Sequence, residues 1–312
     1  MTQKVHVHLT GGLGNQLFQL AAGLSILRES SGKLILDTRL GKPRSSYGSA
    51  DLFHLELPQN VVQFQHDTHR FTEKVAGYLL RKGIQPRSVE KIPLVNYVTN
   101  GAGRAILSLR FRSIVDLQIA QSVGFQKLDR TTNTLLIGYF QSYRYLFSET
   151  VNEIMRNLRP INQSEHLQTL ILEAQSQKPI FVHVRLQDYL NESQFGIPSV
   201  DYYQAGLHKL RAAERKIWVF SDDIEEAKRR MPPDFHSNYH FVDDRQLSPA
   251  QVLHLFRFGS DYLIANSSFS WWGAALAMIS DSRVLAPKPW FSGLPEPRDL
   301  VPPTWIREKA QF

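Results

Sequence analysis

The chain has no cysteine. That absence excludes disulfides, thiolate metal sites and a cysteine nucleophile, and it fits a reducing compartment. No stretch approaches the roughly 20 apolar residues that a membrane span requires. The first residues, MTQKVHVHLTGG, lack the apolar core of a signal peptide. Internal repeats and low-complexity tracts are missing too. Acidic residues are scarce in one region: between positions 70 and 130 there are eleven Lys and Arg against four Asp and Glu, a local excess equal to the net charge of +7 for the whole chain. Such a stretch suits an anionic partner or a solvated basic face.

What is present describes an ordinary globular protein. The chain has 312 residues, 42% hydrophobic and 21% charged. That length suits two domains better than one core. Proline at 160 and the polar residues after it mark a hinge, which divides the chain into 1–160 and 161–312.

In the first part, residues 5–9 read as a strand, followed at once by Gly11-Gly12-Leu13-Gly14-Asn15-Gln16. An apolar helix through residue 27 comes next, then a strand at 33–36 closed by Asp37. This is a βαβ unit with a glycine-rich first turn, where backbone can approach a ligand and a helix N-terminus favours an anion. The order GGLGNQ departs from the dinucleotide fingerprint GxGxxG. Tight strand-to-helix packing accounts for the glycines as well, but less well for the adjacent amides Asn15 and Gln16. Between 38 and 135, prolines break the pattern, with helical spacing at 71–82 and a basic apolar stretch at 104–115. Residues 135–145, LLIGYFQSYRY, form a strand running into an aromatic loop. Gln141 there suits a ligand, whereas Tyr143 and Tyr145 suit an interface between domains.

The second part alternates clearly. Strands are expected at 180–184, 216–220, 240–242, 262–265 and 283–286, with helices at 201–214, 222–230, 249–258 and 269–279. That is a doubly wound parallel sheet, whose polar strand ends share one rim. Three clusters meet on the rim: His183, Arg185 and Asp188; Ser221 and Asp222; and Asn266, Ser267 and Ser268. A guanidinium such as Arg185 suits a diphosphate. Serines opening a helix hold a phosphate, or only cap the helix. Asp222 accepts from a ribose or a base edge, or only caps the helix after it. The adjacent pairs Asp222-Asp223 and Asp243-Asp244 point to opposite faces and make no metal site. Trp271 and Trp272, on an apolar helix, belong to the core.

At these residues the sequence resembles the bacterial α-1,2-fucosyltransferases of glycosyltransferase family 11. The matching pieces are GGLGNQLFQ, GYFQSYRY, HVRLQDY, FSDD and NSSFSWWGA, spread over nearly the whole chain in the family's order. The resemblance implies an α/β fold of the GT-B kind, with two Rossmann-like domains facing a central cleft. Residues 1–160 would lie on the acceptor side and 161–312 would bind the donor. The implied reaction is inverting and metal-independent: L-fucose passes from GDP-β-L-fucose to the 2-hydroxyl of a terminal galactose, with no cofactor. The implied catalytic residues are Arg185, which stabilises the leaving diphosphate, with His183 and Asp188 beside it. Of the groups able to take the acceptor proton (His183, Asp188, Glu192 and Asp37), His183 is preferred. The implied substrate-binding residues are Gly12, Gly14, Asn15, Gln16, Gln141, Asp222, Asn266, Ser267, Ser268 and Phe269. In one departure, the family usually has a second arginine directly after the first, and Leu186 stands there. That substitution implies one donor contact fewer.

The expected partners are GDP-fucose, a galactose-terminated glycan and, through the basic stretch, an anionic membrane. The expected location is cytoplasmic, at the inner membrane face, without nucleic acid. Two enzyme alternatives compete: another nucleotide-sugar transferase of the same fold, and an NAD(P)-dependent oxidoreductase suggested by the first βαβ unit and Asp37.

Overall fold

Strand β1 (Lys4–His8) and helix α1 (Leu13–Ile26) begin the fold with the expected strand–turn–helix. The computed structural model describes residues 3–27, 32–38, 50–64, 117–128, 133–190 and 193–312. The helical readings at 71–82 and 104–115, the basic stretch up to residue 116, and Glu192 therefore lie outside the described residues. The turn needs glycine at Gly11, where φ is +74° and a Cβ would stand 2.5 Å from the Asn15 amide nitrogen. Helix α1 is buried almost all round, which is why its apolar residues show no single stripe.

The first unit takes in Met1–Leu158 together with Pro297–Leu300. Its sheet adds β2 (Lys33–Asp37), β3 (Val61–Phe64), β4 (Leu117–Ser122) and β5 (Asn133–Gly138) in the order β3-β2-β1-β5-β4, all parallel. The chain leaves β1 toward β2 and β3, then returns to place β5 on the other side of β1. The order of strands thus reverses between β1 and β5. Helix α2 (Glu149–Asn157) closes this part of the chain. The segment 297–300 joins the unit through its backbone: the Tyr143 N–H donates to the Asp299 carbonyl at 3.0 Å, and Arg144 pairs with the Asp299 carboxylate at 3.3 Å. Sequence pattern gave no hint of that return.

The second unit is Arg159–Glu296 with Val301–Phe312. Its helices are α3 (Glu165–Gln177), α4 (Gln187–Leu190), α5 (Val200–Lys209), α6 (Ile224–Arg230), α7 (Pro249–Leu255) and α8 (Ser268–Ala275). Its strands are β6 (Ile180–Val184), β7 (Ile217–Ser221), β8 (Tyr239–Phe241), β9 (Asp261–Leu263), β10 (Val284–Lys288) and β11 (Ile306–Lys309), ordered β11-β10-β9-β6-β7-β8 and all parallel. Strand β11, beyond the expected five, pairs along the edge with β10. Its sequence, IREK, carries three charges and gives no apolar signal. Here the order reverses between β6 and β9.

Both faces of β6 are covered, so all five of its residues are buried. Ile180, Val182 and Val184 share one face with Leu186, packed among Tyr202, Tyr203, Leu207 and Leu263. Phe181 and His183 take the other, where Phe181 stacks on Trp218 and meets Phe220, Phe256 and Tyr262 edge-on or tilted. Trp271 and Trp272 are fully buried, as expected for core. Gly273 lets α8 close on Phe256, whose ring leaves no room for a Cβ there. The architecture is α/β, two Rossmann-like units each built on a parallel sheet.

Candidate active site

Open α/β sheets bind ligands beyond the carboxyl ends of their strands, where the order reverses. In the second unit that point lies between β6 and β9. His183 and Arg185 stand at the end of β6, and Asn266, Ser267 and Ser268 follow β9. Asp222 follows β7, the other neighbour of β6.

Arg185 is partly exposed. Its Nη1 lies 3.1 Å from Asp222 Oδ2, with side-chain exposures of 31% and 16%. The other Asp222 oxygen accepts the Leu186 N–H at 2.9 Å, and the Asp222 carbonyl accepts from the Gln187 amide at 2.6 Å. Asp222 therefore holds the Arg185 loop, and its carboxylate faces protein groups where a ribose or base edge was expected. Asp223 has the capping role, accepting the Glu226 N–H at 3.0 Å. One strand further out, Asp244 is half-buried. Burial comes first in raising its carboxyl pKa, and the nearby charges of Asp243 and Asp222 add to the rise. Among the described residues no three His, Asp or Glu side chains cluster as a metal site would need.

His183 is buried beneath α8. Its ring stacks on Phe269 at 5.8 Å and meets Phe256 edge-on at 6.0 Å. Desolvation, and then the positive charge of Arg185, hold its pKa down to about 3. So weak a base does not gather an acceptor proton near neutral pH, and the ring lies out of solvent's reach. Burial and the lowered pKa both count against His183 as proton acceptor; its imidazole lies stacked under Phe269. Asp188 sits in α4, three residues beyond Arg185, and its side chain lies outside the described set.

Leu186 is fully buried in the core face that begins with Ile180. Side chains alternate along the strand, so Arg185 leaves toward the site and position 186 leaves away from it. The leucine is a core residue whose backbone serves Asp222.

The serine turn divides its labour. Ser267 caps α8 by accepting the Phe269 N–H at 3.3 Å. Ser268 and Phe269 are half-buried in the first turn of that helix. Asn266 is 1% exposed, and its Nδ2 donates to the carbonyls of Phe195 and Gly196 at 2.8 and 3.1 Å. Through its Nδ2 the Asn266 amide orders a loop. Two aromatic residues that sequence reasoning passed over flank this turn. Tyr189 stacks on Phe195 at 5.1 Å and donates its hydroxyl to the Asn266 carbonyl at 2.9 Å, and Phe195 packs on Phe291 at 5.5 Å. The signal available was Tyr189 itself, the last residue of HVRLQDY.

In the first unit the reversal between β1 and β5 brings Asn15 and Gln141 together. The Gln141 amide donates to Asn15 Oδ1 at 2.9 Å. Gly12 caps α1 with no side-chain bond, and a Cβ there would meet open space. Gly14 lies buried in the first turn of that helix. Gln16 is fully buried. Its oxygen accepts the Leu52 N–H at 2.9 Å, and its nitrogen donates to the Gly11 carbonyl at 2.9 Å. Its amide is engaged by its own unit. Gln19, which the sequence did not single out, does the same between the Thr10 N–H and the Gly138 carbonyl. Tyr145 also packs within this unit, against Phe125 and Phe140, with its hydroxyl at the Gln126 backbone and its pKa pushed up to about 12 chiefly by burial.

The family model for glycosyl transferase family 11 matches residues 4–307. The chain belongs to that family. An O-antigen biosynthesis glycosyltransferase of Escherichia coli, WbnK, is 27% identical over 314 residues, covering 96% of this chain and 98% of the relative. An α-1,2-colitosyltransferase of Escherichia coli is 26% identical over 314 residues, covering 97% and 98%. Among solved structures, the fucosyltransferase NodZ from Bradyrhizobium matches with a TM-score of 0.46 and 15% identity, covering 88% of this chain and 93% of that one. Family membership makes the protein a glycosyltransferase that uses a nucleotide-sugar donor, and sets aside the oxidoreductase alternative. Among the described residues no helix is long and apolar enough to cross a membrane.

Proposed function

We propose that this glycosyltransferase moves L-fucose from GDP-β-L-fucose to the 2-hydroxyl of a terminal galactose, with inversion. The observation that carries the reading is Arg185, held by Asp222 at a strand-order reversal whose opposite bank is the Ser267-capped start of α8. When the sugar departs, negative charge grows on the β-phosphate. A fixed guanidinium and helix-terminal N–H groups stabilise that charge without reorganising, in place of a divalent ion. The bond from the anomeric carbon to the phosphate oxygen breaks, and the acceptor oxygen attacks from the opposite face. Asp188 is the carboxylate we assign to the acceptor proton. A rate–pH profile for Asp188→Asn that matches wild type would remove it.

In the second unit, Ser268 and Phe269 border the donor; in the first, Gly12, Gly14, Asn15 and Gln141 form the acceptor-side group. The basic stretch brings the enzyme to the anionic inner face of a membrane, where lipid-linked acceptors reside. Vesicle co-sedimentation that shows no salt-sensitive binding to acidic lipid rules this out.

The deciding experiment incubates the protein with GDP-fucose and lactose, with and without EDTA, and assigns the product linkage by NMR. An α-1,2 linkage at undiminished rate in EDTA is expected. One second reading has a specific basis, the colitosyltransferase relative. Colitose lacks one ring hydroxyl of fucose, so GDP-colitose in a parallel reaction separates the two donors.

A further inference from the structure

The loop that carries Arg185 is tethered on both sides of β6. Toward β7 the tether is Asp222, which takes the Leu186 N–H and the Arg185 guanidinium. Toward β9 it is Tyr189. The tyrosine hydroxyl reaches the Asn266 carbonyl, one residue before the Ser267 cap. Its ring stacks on Phe195, whose carbonyl is held by the amide of the same Asn266. Asn266 is thus bound from two directions by one loop. The Phe195 carbonyl also accepts the Ser292 N–H at 3.1 Å, and the Gln194 carbonyl accepts the Gly293 N–H at 2.9 Å, which anchors the loop to the segment after β10. Gly196, at φ +71°, lies against Phe312 and Ser292, with no room for a side chain.

We propose that Tyr189 is a positioning residue for the diphosphate of the donor. It fixes the distance between the Arg185 guanidinium and the start of α8, so that the two act as halves of one anion cradle. Neither half moves independently: a shift of the β6 loop must break the Tyr189–Asn266 bond or carry the serine turn with it. Tyr189 touches no reacting atom in this role. The inference deepens the nucleotide-sugar reading of the site and rests on it.

The test is calorimetric titration of GDP and of guanosine into wild type and Tyr189→Phe, with turnover measured on the same preparations. The phenylalanine keeps the stack on Phe195 and removes only the hydroxyl. Loss of one hydrogen bond should weaken GDP by about tenfold and lower kcat by a similar factor. Guanosine, which has no phosphate to be cradled, should bind as to wild type. Unchanged GDP affinity in the variant overturns the tether. Equal weakening of GDP and guanosine also overturns it, since general loosening has no preference for phosphate. Wild type that fails to bind GDP at all overturns the donor reading instead, before the variant is considered. If Tyr189→Phe does not fold, the same comparison on Phe195→Leu decides, with a smaller GDP-specific loss expected from the missing stack.

Discussion

At the β1/β5 reversal of the first unit, the polar groups are neutral amides that bind their own unit. Gln16 and Gln19 are fully buried with both amide ends engaged by backbone, and Gln141 is joined to Asn15. At the β6/β9 reversal of the second unit, the groups are charged and partly open: Arg185, Asp222 and, one strand away, Asp244. The same topological device is used in two ways. In the first it is wired by hydrogen bonds that specify the turn. In the second it keeps a cation near solvent, held but not covered. An amide satisfied by protein gives stability and shape, while a partly exposed guanidinium is held beside a carboxylate at the edge of solvent.

Substitutions should separate the two reversals by what they damage. The largest effect expected is on turnover: Arg185→Lys should lower kcat by a hundredfold or more, since lysine keeps the charge but loses the planar fork of donors, and losing a stabilising donor in the transition state typically costs about 3–4 kcal/mol, with little change in Tm. A near-normal rate would break the comparison. Next is Leu186→Arg, which restores the arginine usual in the family. Because position 186 faces the core, a charge there should destabilise the fold by about 3 kcal/mol or more without raising activity, a fall in Tm of roughly 10 °C. Thermal unfolding checks it, and a stable, faster variant would show that the site recruits this position. Gln16→Ala strands the Leu52 N–H and the Gly11 carbonyl, and should cost about 2 kcal/mol of stability in urea unfolding.

The last expected effect is an acid-side slope. The His183 pKa is about 3 in the fold, against an ordinary 6.5. Above pH 6.5 neither the folded nor the unfolded imidazole is protonated. As the pH falls from 6.5 toward 3, the unfolded chain binds a proton that the folded chain refuses. Stability is therefore full above that window and is lost within it, at up to about 1.4 kcal/mol per pH unit. His254, held near 4 chiefly by burial, acts in the same direction. Urea unfolding of His183→Phe between pH 7 and pH 4 should show a shallower loss than wild type; an identical slope would mean that His183 is not the source.

Much of the second unit was legible because a central parallel strand must be apolar on both faces, as Ile180–Val184 is, and must end in polar residues. Those residues were readable as candidates from position alone. Their division of labour was not. Arg185 and Leu186 are adjacent in HVRLQDY, yet one faces the site and the other the core. Asn266 and Ser267 both look like ligand groups, yet one holds a loop and the other caps a helix. The charged edge strand IREK and the return of residues 297–300 to the first unit left no local pattern to read.

The sequence by itself determined the alternation of strands and helices, the core tryptophans, the family, and which short stretches carry the chemistry. These follow from period, composition and motif, which are local properties of the chain. Only the tertiary structure decided which polar groups are already satisfied. Whether Gln16 meets Leu52, or Tyr189 meets Asn266, depends on contacts across 36 and 77 positions. A polar side chain is available to a ligand only after its own protein has finished binding it.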